Sequence, residues 1–64
     1  MNRFEQYIRK NVVCTTDEGE QITGYITGTE DNALEAGGVL VYFVDMDGYP
    51  FYLESSWIKE IAAL

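Results

Sequence analysis

The chain has no histidine, one cysteine, one proline and only four basic residues among 64. Each shortage removes a class of chemistry. A lone Cys14 makes no intrachain disulfide, and without histidine there is neither an imidazole-based zinc framework nor an imidazole to activate that thiol. Four cations against eleven acids leave a net charge of −7, the wrong sign for a protein that works by neutralising phosphates. No apolar run approaches the roughly 20 residues that span a bilayer, and nothing reads as a signal peptide. A single thiol in such a chain fits a reducing compartment, and the expected location is cytoplasmic.

What is present is apolar and aromatic: 47% of the residues are hydrophobic, and 14% of the chain is phenylalanine, tyrosine or tryptophan. A chain of this length buries only about 60% of the surface it exposes when unfolded. One core then supplies about 3–5 kcal/mol without staples. Either the core is unusually aromatic or further apolar surface is covered by association. The acidic balance keeps small domains apart in solution, and it also suits docking on a basic partner.

The longest regular stretch runs from Gly19 to Glu30. Ile22, Gly24 and Ile26 fall on one face by the two-residue period, and Gln21, Thr23, Tyr25 and Thr27 on the other. A glycine between two inward isoleucines marks a place where a neighbour approaches or the strand bends. Ahead of it, Asn2 and Glu5 have capping-box spacing, and Phe4, Tyr7 and Ile8 share a helical face, so a helix is expected over 2–10 with Arg9 and Lys10 in its last turn. Strands are expected at about 11–16, 20–29, 39–45, 49–54 and 57–61. Val39 to Val44 is apolar on both faces, which implies that something covers its second face. Asp47-Gly48 signals a hairpin. A two-residue loop places Val44 opposite Phe51, whereas a three-residue Met46-Asp47-Gly48 loop with a bulge places Phe43 opposite Phe51. Pro50 puts the start of the fourth strand at an edge or bulge. Residues 33–38 read as a small loop or an interrupted pairing. Trp57 reads as core, and the whole chain as one domain, 1–64.

A short helix followed by five strongly bent antiparallel strands is the layout of a small SH3-like or Sm-like barrel. The spacing resembles the Sm-like family. Gly19, Ile22, Gly24, Ile26 and Glu30 fit its first motif, and Leu53, Ile58 and Ile61 the apolar positions of its second. Glu54 and Ser55 stand where that motif has arginine and glycine. The resemblance implies a barrel that assembles or binds RNA, but the RNA-pocket arginine is Glu54 here. The pocket's asparagine position falls near Leu34, with Asn32 out of register. Exchanging a guanidinium for a carboxylate removes five donors and reverses the charge. Small acidic Sm-like proteins that inhibit the transcription termination factor Rho are a precedent for the other use of such a barrel, binding a basic site on a nucleic-acid protein.

No catalytic, metal or cofactor set is expected. Asp45-Met46-Asp47-Gly48 begins like a calcium loop but lacks the later ligands, and Cys14 reads as a buried small hydrophobe. The leading expectation is a non-catalytic interaction or assembly module that binds protein, self-associates, or both, through Tyr25, Tyr42, Val44, Tyr52 and Glu54. The alternative is an Sm-like RNA binder that uses Arg3, Arg9 and Lys10 with the exposed tyrosines.

Overall fold

The computed structural model describes residues 2–32 and 37–64. Five strands form one antiparallel sheet: β1 (Asn11–Thr16), β2 (Gln21–Glu30), β3 (Leu40–Val44), β4 (Pro50–Glu54) and β5 (Ile58–Ala63). Their spatial order is β4-β3-β2-β1-β5, so the last two strands in sequence lie at opposite edges. Only the three-residue 3₁₀ turn Ser55–Trp57 joins them. Flat, a sheet of five strands would separate its edge strands by about 19 Å, at about 4.8 Å per step. A 3₁₀ turn of three residues advances about 6 Å. The sheet must therefore curl, and it does so without closing: among the described residues no ladder joins β4 to β5. The expected closed barrel is corrected to an open, curled sheet.

The expected helix over 2–10 is also corrected. It is a 3₁₀ turn at Glu5–Tyr7. Its start is capped as the Asn2 spacing suggests, for Asn2 Oδ1 accepts the backbone N–H groups of Phe4 and Glu5 at 2.9 and 3.1 Å. It stops because Ile8 is extended (φ −60°, ψ 132°) and Arg9 turns into the left-handed region at φ 69°. Arg9 then donates its N–H to Ile26 C=O at 2.7 Å, and Ile26 donates to Lys10 C=O at 3.1 Å. Pairing with β2 takes these residues from the helix. Phe4 is still fully buried, with Tyr7 and Ile8 packed beside it, so the apolar face survives as a plug in the core.

The inner face carries Val12 and Cys14 of β1, Ile26 of β2, Val41 and Phe43 of β3, Leu53 of β4 and Ile58 of β5. Trp57 is not among them and stands 43% exposed, which corrects its expected place in the core. It lies in the 3₁₀ turn rather than on an inward strand position. The β3–β4 hairpin takes the three-residue register: Phe43 faces Phe51, Val41 faces Leu53 and Tyr42 faces Tyr52. Gly48 closes the turn at φ 86° and donates its N–H to Asp45 C=O, the pattern of a turn with a glycine bulge. Asp45 Oδ1 accepts the Asp47 and Tyr49 N–H groups, both at 2.9 Å, so this carboxylate serves the turn. The reading of 33–38 lies mostly on residues 33–36, outside the described residues, as does Leu34.

Candidate interaction surface

Register fixes what the outer face presents. β2 pairs with β3 through Tyr25↔Val44, Gly28↔Tyr42 and Glu30↔Leu40, and β3 pairs with β4 through Val44↔Pro50, Tyr42↔Tyr52 and Leu40↔Glu54. Three rows therefore cross the sheet. They read Tyr25-Val44-Pro50, Gly28-Tyr42-Tyr52 and Glu30-Leu40-Glu54. Side chains opposite one another on adjacent strands stand about 4.5–5.5 Å apart at Cβ, so each row is a line of neighbours. Tyr25, Tyr42, Val44, Tyr52 and Glu54, expected together from the sequence, all lie within this patch. The N-terminal turn packs into the core on the other side of the sheet, away from this second face of β3.

The rows align because of a bulge. The register shifts between Ile26 and Gly28, which leaves Thr27 as the extra residue. Tyr25 and Gly28 differ in parity and would otherwise point to opposite faces. Thr27 Oγ1 donates to Tyr42 C=O at 3.3 Å beside the slip. A Cβ at Gly28 would meet nothing within 4 Å, so the patch has an open slot next to Tyr42.

Charge is graded along the patch. Glu30 and Glu54 flank Leu40 at one end, while Tyr25, Val44 and Pro50 make the other end apolar. Tyr42 donates its phenol O–H to Glu30 Oε1 at 2.9 Å. That bond, with smaller contributions from desolvation and from the charges of Glu30 and Tyr52, holds the phenol above its ordinary value. Tyr42 thus stays a neutral donor at neutral pH.

Beyond the Tyr52 end, Trp57 lies 6.5 Å from the Tyr52 ring at 26° to its plane. Trp57 also walls a cleft of about 340 Å³ between the β1–β2 turn and the β4–β5 connection. Its floor is Ile22 and Leu53, and Asp17, Glu18 and Glu20 rim it. The sequence reading missed this cleft. The acid-rich Asp17-Glu18-Gly19-Glu20 turn and the single tryptophan were visible, but their juxtaposition depends on the curl of the sheet. A second groove, of about 430 Å³, runs past Asn11, Thr23, Tyr25, Val44, Met46 and Leu64, at the apolar end of the patch.

The three cations named for RNA binding lie elsewhere. The Arg3 guanidinium donates to Ile58 C=O at 2.8 Å and rests 4.6 Å from the Phe4 ring centroid. Arg9 and Lys10 are exposed beside Ile26 at the entry to β1. Cys14 is fully buried, and burial pushes its thiol up. No protein-family model matches this chain, and no match of significance is found among curated proteins or solved structures.

Proposed function

We propose that this protein is a non-catalytic interaction module that binds a basic segment of another protein on the outer face of β2, β3 and β4. The observation that carries the reading is the three-row patch: Tyr25 and Tyr52 are 37% and 53% exposed, with Tyr42 and Val44 half-buried between them. Tyrosine and tryptophan supply much of the energy of protein interfaces, because they cover area at low entropic cost and keep a polar tip for hydrogen bonding. The carboxylates at one end and the net charge of −7 select the sign of the partner and speed its approach. The RNA alternative finds less support. Its cations are not on the patch that holds the tyrosines, and Arg3 is already engaged with a backbone carbonyl.

A fluorescence titration of the protein with a lysine-rich polypeptide and with a single-stranded RNA, each across a salt series, tests the proposal. Binding to the polypeptide that weakens as salt rises, and falls about tenfold or more in a Tyr42→Ser/Tyr52→Ser variant, is the expected result. RNA binding that Arg9→Ala abolishes would replace this reading with the nucleic-acid one. Light scattering across a dilution series reads whether the same face instead joins copies of the chain.

A further inference from the structure

The phase of the hairpin ladder decides which backbone groups β4 leaves free. Asp45 N–H bonds to Tyr49 C=O at 3.0 Å, and Ser55 N–H bonds to Val39 C=O at 2.8 Å. In an antiparallel pair, hydrogen-bonded and non-bonded residue pairs alternate. Counting inward from either end gives the same assignment: Phe43/Phe51 and Val41/Leu53 are bonded, whereas Val44/Pro50, Tyr42/Tyr52 and Leu40/Glu54 are not. The N–H groups of Tyr52 and Glu54 and the C=O of Tyr52 therefore point away from β3, along an edge that no described strand covers. Pro50 belongs to the same outward set. Its missing N–H costs the ladder nothing, which is why proline is tolerated there.

We propose that this edge accepts an extended segment of a partner protein as a sixth strand, with lysine or arginine alternating with aliphatic residues. The inference rests on the interaction function above and specifies the partner's conformation and pattern. A strand laid beside β4 presents alternate side chains to the two faces of the sheet. On the outer side they meet Tyr52 and Glu54, with the Trp57 ring beyond, a setting for cations through the carboxylate and the aromatic faces. On the inner side they meet the half-buried Phe51 and the rim of Leu53, where the cleft begins, a setting for aliphatic groups. Main-chain bonds hold such a segment and the alternate pockets select it. A second copy is the poorer occupant, since each chain brings a charge of −7 to the contact.

The test adds a short blocked peptide of alternating lysine and valine to the intact protein and follows amide hydrogen exchange by NMR. At a peptide concentration ten times its Kd, the Tyr52 and Glu54 amides gain about tenfold protection, while Phe51 and Leu53, already bonded to β3, do not change. Tyr52→Pro, which removes an edge donor without touching the ladder, loses the binding, and Tyr52→Phe, which keeps both the donor and the aromatic face, retains most of it. Glu54→Lys weakens the lysine peptide and favours one with glutamate in its place. The inference is overturned if the lysine peptide does not bind, if the glutamate peptide binds wild type equally, or if binding leaves the Tyr52 and Glu54 amides unprotected. In the last case shifts confined to Tyr25, Tyr42 and Val44 would leave the interaction function standing. Protection of Tyr52 and Glu54 that grows with protein concentration alone would assign the edge to a second copy.

Discussion

Gly24 of β2 lies beneath the ring of Phe51 in β4, two strands away. A Cβ at position 24 would stand 3.0 Å from Phe51 Cζ and 3.2 Å from Phe43 Cδ2. The two rings stack at 4.9 Å between centroids and 2° between planes, with Phe43 almost wholly buried. The missing side chain is what lets β4 fold over β2, and with it the short β4–β5 connection. Gly24→Ala should therefore destabilise the fold by about 1–3 kcal/mol, the range for overpacking a filled core. Urea unfolding measures it. Phe51→Leu in the same chain should recover part of the loss, because the two sites share one contact.

This glycine also shows how far the sequence could be read. Its position between Ile22 and Ile26 pointed to a close approach, and the apolar run of β3 with Asp47-Gly48 pointed to a hairpin. Strand order was not legible in the same way, since β5 pairs with β1 rather than with its sequence neighbour β4. The bulge at Thr27 carried no such signal, since Thr27-Gly28-Thr29 reads as unbroken strand. Yet that one extra residue turns Glu30 to the outer face beside Leu40. The helix failed for a related reason. Asn2, Phe4, Tyr7 and Ile8 satisfy helical spacing, but a 3₁₀ turn followed by pairing of Arg9 and Lys10 with Ile26 buries the same apolar residues. Trp57 was misplaced because local pattern does not say that the β4–β5 link stands at the rim of the curl.

Arg9 holds φ 69°, where a side chain is strained and glycine is not. Its role there is to turn the chain so that its N–H reaches Ile26. Arg9→Gly should raise stability by about 0.5–1 kcal/mol, less than the full strain because glycine also gains freedom in the unfolded chain. Denaturant midpoints decide this, and a fall in stability would mean that the Arg9 side chain holds a contact of its own.

The Tyr42 phenol ionises above its ordinary value of 10.0, chiefly because its O–H is bonded to Glu30. A folded-state value raised above the unfolded one gives a contribution that is intact below pH 10 and lost as pH rises through the folded value. Glu30→Gln should move this titration back toward the ordinary value. Absorbance of the phenolate during alkaline titration, compared between the two proteins, reads the difference.

Burial likewise raises the Cys14 thiol above 9.0, with Arg3 pulling weakly the other way. The sign is the same: the neutral thiol is favoured in the folded chain, so its contribution is intact below about pH 9 and declines above it. Cys14→Ala should lose less stability than wild type between neutral pH and pH 10, although its cavity makes it less stable throughout. In the native protein near neutral pH, a thiol reagent should label Cys14 only as fast as the fold opens, and denaturant should abolish the protection.

The central claim is that the outer face of β2, β3 and β4 is where a basic protein segment binds. NMR side-chain and amide shifts of the intact protein, recorded while a lysine-rich polypeptide is added, test it most directly. The account predicts shifts at Tyr25, Tyr42, Val44, Tyr52 and Glu54 that saturate together and recede as salt rises. Shifts confined to the outer face of β1, at Val13 and Thr15, or to the Arg3–Lys10 segment would contradict it and place the interface on the opposite part of the sheet.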